Sequence, residues 1–266
     1  MNLDAMKPKK VDTIPNNNEN QKYIYEIKYD GGNSVISKHG KNVEIYHNGN
    51  VNPRTYRYPE IIPYIIQNVK DGTYVAELIV STDNMIGGDF DLFQRRQVEN
   101  RFKIERRKKI YPIIAIIYDI IQDGKENITD LTLFERKKIL QKNICDSTYV
   151  RMIESFNKPD KIVANKNMYE GIVIKDLNSC YLHGKRHGWF KKRFNREEIQ
   201  KFVDYEDTET GIVLLTEKNK RVNLAGKRSE IARNKIRENG YVECELSYNK
   251  KTDKGFRICS VKRIID

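Results

Sequence analysis

The chain has 266 residues, of which 38% are hydrophobic and 32% charged, and Lys and Arg outnumber Asp and Glu by 49 to 37, a formal net charge of +12. That length allows one large domain with its own core and a second small one, and the positive excess points to an anionic partner. No apolar run approaches the length of a membrane span, the N-terminus lacks the apolar stretch of a signal peptide, and the four cysteines form no C-x-x-C pair; membrane insertion, a zinc knuckle and a disulfide framework are excluded, and free thiols in a reducing cytoplasm are expected.

In chain order, residues 1–20 are rich in Asn and Lys and read as a loose lead-in. In "YIYEIKYDGGNSVIS", residues 23–37, Tyr23, Tyr25 and Ile27 alternate with polar neighbours and predict a half-buried strand. Gly31 and Gly32 predict a hairpin turn into a second strand over 35–39, which puts Lys28 at a strand end. "NVEIYHNGN" adds a strand with a turn at 47–50, and residues 58–69 have helical spacing with Pro63 in the first turn or breaking the helix. Residues 73–80 alternate like a strand, 95–109 (RRQVENRFKIERRKK) read as a basic helix or loop, and 110–121 read as a strand buried on both faces. A helix capped by Thr132 follows, with Phe134, Ile139 and Leu140 facing inward, and then strands in "STYVRMIESF" and "YEGIVIKD". "GKRHGWFKKR", residues 184–193, packs five basic residues around the single tryptophan, a pattern suited to a phosphate-lined groove.

A domain boundary is expected near Asn195, giving residues 1–194 and 195–266. The second segment shows three strands, a helix and two strands, which fit a five-stranded OB barrel, although periodicity does not separate this from an SH3-like barrel. The fold class is α+β: antiparallel sheets flanked by helices, then a small β-barrel.

No G-x-x-x-x-G-K-[ST], H-E-x-x-H or Cys/His cluster occurs, which excludes a P-loop and a preformed zinc cage. Lysines and carboxylates at strand ends remain, and a lysine whose amine is neutral is a nucleophile. Lys28-Tyr29-Asp30-Gly31 matches K-x-D-G, a weak signal alone. Order strengthens it: a strand with Glu77, then "YDII", "FERKKIL", "EGIVIKD" and "GKRHGWFKKR".

This succession resembles the covalent nucleotidyltransferase superfamily, and within it the ATP-dependent DNA ligases of minimal two-domain type, from about Tyr23 to Arg193. The resemblance implies that Lys28 attacks the α-phosphorus of ATP, that AMP passes to the 5′-phosphate of a nick in duplex DNA, and that the 3′-hydroxyl displaces it. It makes Lys28, Asp30, Lys191 and Arg193 catalytic, and Glu26, Lys28, Glu77, Tyr118, Lys175 and Lys191 the nucleotide contacts. Asp30, Glu170 and Glu77 would serve Mg²⁺, with Mn²⁺ admissible, and Lys185, Arg186, Arg54, Arg95 and Arg96 would meet nucleic acid. Trp189 reads as a packing residue, and Arg136 as a structural partner of Glu135 or a neighbour.

Departures from the family pattern fall at Asn33, where K-x-D-G-x-R has arginine, at Val75-Ala76 before the strand glutamate, and at Tyr46-His47 in place of an S-R pair. ATP is favoured over NAD because no extra N-terminal domain or Cys₄ site accompanies the motifs. A monomer with no obligate protein partner is expected, at a nucleoid or viral replication site in the cytoplasm. An RNA ligase or capping-type guanylyltransferase shares the lysine chemistry, and a non-catalytic nucleic-acid-binding protein is the alternative outside enzymes.

Overall fold

Gly31 joins two different sheets and does not turn a hairpin. A computed structural model of the protein describes residues 3–17, 21–47, 50–82, 86–252 and 255–265, and the chain divides into two units, Met1–Lys192 and Arg193–Asp266. In the first unit the chain runs β1 (Lys9–Lys10), β2 (Tyr23–Lys28), β3 (Gly32–His39), β4 (Asn42–His47), α1 (Ile62–Asn68), β5 (Gly72–Ile79), α2 (Phe90–Arg96), α3 (Arg101–Ile110) and β6 (Ile114–Asp123). It continues through β7 (Glu126–Asn127), α4 (Leu133–Asn143), β8 (Val150–Met152), β9 (Ser155–Phe156), α5 (Asp160–Ala164), β10 (Gly171–Asp176) and β11 (Trp189–Arg193).

Two sheets result, ordered β1-β11-β10-β2-β9 and β4-β3-β5-β6-β7, with β8 parallel to β6 in the second. The expected hairpin is therefore replaced: β2 pairs with β10 and β9, and β3 with β4 and β5. Both glycines at the crossing are forced by packing, since a Cβ on Gly31 would lie 2.2 Å from the Leu78 carbonyl oxygen and one on Gly32 would lie 2.1 Å from the Phe93 ring. The expected turn at 47–50 lies partly outside the described residues, at Asn48 and Gly49.

β2 is buried along both faces, not half-buried. Tyr25 and Ile27 form one face, while Ile24, Glu26 and Lys28 form the other, so its polar residues are turned inward toward the site. On β5, Tyr74, Ala76 and Leu78 enter the main core, and Glu77 shares the opposite face with Val75 and Ile79. On β6 the register slips between Val75/Ala76, so Ala76 pairs with Ile117, Val75 with Asp119, and Tyr118 is left as the extra bulged residue.

The basic segment forms two helices. Asp89 caps α2 by accepting from Asp91 N and Leu92 N at 2.9 and 3.3 Å, and Asn100 caps α3 by accepting from Lys103 N at 3.1 Å. Pro63 sits in the first turn of α1, where its missing N–H costs no helical bond. Thr132 and Glu135 make the reciprocal capping box of α4, with Leu133 and Leu140 buried. Phe134, expected inward, is 48% exposed and lies under the Lys138 ammonium instead. The lead-in is also ordered in part: Ala5 and Met6 are buried, and β1 runs parallel to β11 with Lys9 opposite Phe190 and Lys10 opposite Lys191.

The second unit runs β12 (Arg196–Phe202), β13 (Asp204–Thr208), β14 (Gly211–Leu215), β15 (Arg221–Ala225), α6 (Lys227–Asn239), β16 (Val242–Tyr248), β17 (Lys250–Thr252), β18 (Gly255–Arg257) and β19 (Ser260–Ile265). Sheets β12-β16-β19 and β13-β14-β15-β18-β17 share a core of Phe202, Ile212, Leu214, Leu224, Ala232, Cys244 and Leu246. More strands appear than the three plus two expected, because the chain passes from one sheet to the other at Val203, at Asn249 and again at residues 258–259. All four cysteines are free thiols, and among the described residues no helix is long and apolar enough to cross a membrane.

Candidate active site

A cavity of ≈ 290 Å³ opens in the first unit, lined from both sheets: Glu26 and Lys28 of β2, Val173 and Lys175 of β10, Trp189 and Lys191 of β11, Asn33 of β3, Glu77 of β5 and Tyr118 of β6, with residues 5–8 along one wall. Strand alternation explains the first group, since 26 and 28 share a face, as do 173 and 175, and 189 and 191. The bulge at Tyr118 lets β6 present its phenol to the cavity while Ile117 and Ile120 both stay in the main core.

Lys28 is ion-paired to Glu170, which is only 5% exposed and immediately precedes β10. Glu77 stands beside them with its carboxyl pushed up to about 7, first by burial and further by Glu170 and Asp30, against the opposing pull of Lys28 and the Gly31 N–H. Carboxyl groups thus outnumber ammonium groups around Lys28.

Around Glu26 the balance reverses. The buried Glu26 is paired with Lys137 of α4 and with Lys175, the latter at 2.6 Å, and accepts from Ser155 Oγ at 2.9 Å. Burial works to raise the Glu26 pKa, but the two lysines prevail and hold it below the usual value. Lys175 is 2% exposed, and burial lowers its ammonium to about 8 despite Glu26. Its Nζ lies 4.5 Å from the centre of the Tyr118 ring and 4.2 Å from that of Trp189, a favourable cation–π arrangement. Trp189 meets Tyr118 and Tyr181 edge-on at 6.2 and 6.0 Å, which makes it a wall of the cavity held by packing.

Asn33, the residue where the family pattern has arginine, donates from Nδ2 to the Tyr118 hydroxyl and lies opposite Glu77 in the β3–β5 ladder. Burial pushes the Tyr118 phenol well above its ordinary pKa, so it is neutral. Lys137, Ser155 and the 5–8 segment were not singled out by sequence. Lys137 falls one residue past the E-R pair of "FERKKIL", and only helical phase distinguishes it from the exposed Lys138.

Other expected site residues stand elsewhere. Asp30 is buried, donates its N–H to Gly87 O at 2.8 Å and accepts from Phe90 N–H at 3.3 Å, at the start of α2 and off the cavity wall. Arg54 is paired with Glu99 at 3.5 Å, and Arg95, Lys185 and Arg186 are exposed. Arg193 ends β11 and is the first residue of the second unit. Arg96 requires correction as a nucleic-acid contact: it is 0% exposed and its Nη2 donates to both carboxylate oxygens of Glu60 at 3.0 and 2.9 Å, so it fastens α2 to the core. Arg136 pairs with Asp119 and not with Glu135, whose carboxylate serves the helix cap.

The family model described as the ATP dependent DNA ligase domain matches residues 4–193. The chain belongs to the ATP-dependent DNA ligase family. It is 31% identical over 219 residues to the SPbeta prophage-derived DNA ligase-like protein LigB of Bacillus subtilis, covering 77% of this chain and 69% of that protein. It is 28% identical over 173 residues to the DNA ligase of Methanocella arvoryzae, covering 61% of this chain and 30% of that larger ligase. Among solved structures, a Lig E DNA ligase described as binding DNA with a minimal scaffold superposes with TM-score 0.64 at 12% identity, over 98% of this chain and 99% of that one. The ligase domain from M. tuberculosis LigD does so with TM-score 0.58 at 14% identity, over 99% and 95%. At those identities the structural likeness speaks for the ligase fold alone.

Proposed function

We propose that this ligase seals 5′-phosphate/3′-hydroxyl nicks in duplex DNA, using ATP, through an AMP adduct on Lys28. The observation that carries the reading is the placement of Lys28: it ends a strand buried on both faces, lines the cavity, and has its ammonium directed by the buried Glu170. Nucleophilic catalysis asks for such a fixed amine, and the ion pair gives its departing proton an immediate acceptor at Glu170 Oε2.

In the first step Lys28 Nζ forms a bond to the α-phosphorus of ATP while the bond to pyrophosphate breaks. Lys191, on the neighbouring cavity wall, supplies positive charge for the α-phosphate oxygens. Tyr118, pinned by Asn33 and backed by Trp189, offers a neutral aromatic surface for adenine, with Glu26 and Lys175 below it. AMP then passes to the 5′-phosphate of the nick, and attack by the 3′-hydroxyl releases it. The two sheets and helix of the second unit serve as an OB-type barrel in this reading.

A divalent cation fits the carboxyl groups beside Lys28. Among the described residues no group of three or more His, Cys, Asp or Glu forms a metal cage, but Mg²⁺ commonly takes one or two carboxylates and completes its shell with water and substrate phosphate. Glu77 and Glu170 would hold it, and when bound it supplies charge stabilisation to the phosphates. Arg186, Lys185 and Arg95, all exposed, would meet DNA phosphates in this reading, and Arg54 would do so by exchanging its pairing with Glu99.

The test compares wild type with Lys28→Ala for self-labelling from α-labelled ATP with Mg²⁺, and for sealing of a nicked duplex with a 5′-phosphate. Labelling and sealing by wild type alone are expected. Labelling without sealing would retain the lysine and overturn DNA as substrate in favour of an RNA end, and a wild type that does neither would overturn the reading.

A further inference from the structure

We infer that the outward face of α3, formed by Phe102, Arg106 and Lys109, is a docking surface for the duplex flanking the nick. The inference rests on the ligase reading above and adds a contact surface to it. α3 carries six Lys and Arg residues against one glutamate over Arg101–Ile110. It is attached to the core by a single buried side chain, Ile104. Residues 102, 106 and 109 are spaced i, i+4, i+7 and lie on the side of the helix opposite Ile104.

Phe102 is 84% exposed, the most exposed large apolar side chain among the described residues, and it stands between two cations with no apolar neighbour to cover it. The one acid of the helix, Glu105, borders this face and is engaged by Lys108 at 2.7 Å. The helix therefore carries its cations along its whole length, Arg101 and Lys103 in a first turn that holds no acid and Arg107, Lys108 and Lys109 in the last turn. A polyanion complements that pattern. Duplex DNA offers phosphates to Arg106 and Lys109 and the apolar deoxyribose faces of one strand to Phe102 between them.

Charge complementarity therefore selects DNA, and the burial of Arg96 shifts the expected contact from the end of α2 to this face of α3. Lys103 and the exposed Ile110 flank it.

The experiment measures binding of a nicked, 5′-phosphorylated duplex across a range of salt for wild type, Phe102→Ala and Arg106→Ala/Lys109→Ala. ATP-dependent self-labelling, which needs no DNA, reports in parallel that each protein is folded. Removing two phosphate contacts is expected to flatten the slope of log K against log salt by about 1.8. Phe102→Ala is expected to weaken binding about fivefold with the slope unchanged, since it removes apolar contact area and no charge. Wild-type affinity and slope in both variants, with sealing by wild type intact, would overturn the surface and leave the ligase reading standing. Equal loss of self-labelling and of DNA binding in the double variant would also overturn it, by assigning the helix a structural role.

Discussion

Arg136 closes on Asp119 through two parallel hydrogen bonds, Nε to Oδ1 and Nη2 to Oδ2, each 3.0 Å, with neither side chain exposed. The pair ties α4 to β6 next to the bulge that presents Tyr118, and Arg136 Nη1 also donates to Leu131 O at 2.6 Å and Ser179 O at 3.2 Å. Removing one partner strands a buried charge. Arg136→Met is expected to cost about 3–5 kcal/mol, read as the urea midpoint of the first unit, and Arg136→Met/Asp119→Leu should recover a large part of it. A single variant within 1 kcal/mol of wild type would contradict this account.

Glu77 leads to a dependence on pH. Its folded pKa, about 7, lies above the ordinary carboxylate value because of burial, Glu170 and Asp30. The unfolded chain therefore releases this proton first as pH rises, so the contribution of Glu77 to stability is full below the unfolded pKa and is lost on the way up to about 7. Glu77→Gln has no such loss. The melting temperature of Glu77→Gln relative to wild type should therefore climb between pH 5 and pH 8 without nucleotide or metal, and a constant difference would refute the assignment.

Lys175 titrates in the opposite sense. Burial depresses its folded pKa to about 8, so between there and the unfolded value the folded protein holds fewer protons and gains stability as pH rises. Glu26→Gln takes away the carboxylate that Lys175 shares with Lys137. The variant should be less stable than wild type at pH 7, and the deficit should shrink by pH 9.5 as Lys175 sheds its proton. A deficit that widens with pH would place the buried charge elsewhere.

Gly31→Ala puts a methyl group into the Leu78 carbonyl, 2.2 Å away, where backbone must move. Overpacking of this kind costs about 1–3 kcal/mol, and here it also displaces β5, which carries Glu77. Self-labelling should fall at least tenfold, while Gly40→Ala, with nothing within 4 Å of its added Cβ, should keep wild-type labelling despite its positive φ of 58°.

What sequence made legible was the order of the chemistry. Lys28, Glu77, Tyr118, Lys175 and Lys191 sit on five separate strands yet were picked out by short motifs, and they line one cavity. Less legible was anything decided by which sheet a strand joins. A Gly-Gly pair after an alternating strand reads as a hairpin, and local pattern carries no information that β2 will pair with β10, more than 140 residues later along the chain. Arg95 and Arg96 are chemically alike in sequence, but helical phase exposes one and buries the other against Glu60. Lys137 was missed for the same reason, as one of two adjacent lysines. The residues at 5–8 carry no motif, and their place on the cavity wall depends wholly on tertiary pairing.

That pairing has a practical meaning for handling the protein. β1 covers the free side of β11 over two residues, Val11 N–H donates to Lys191 O at 3.0 Å, and Met6 N–H donates to the Tyr181 hydroxyl at 2.9 Å. Trimming the chain to Tyr23, where sequence pattern first becomes regular, would bare a sheet edge beside the cavity, an open template for pairing with another copy. Versions shortened to Tyr23 should accordingly be poor choices for crystallisation or assay.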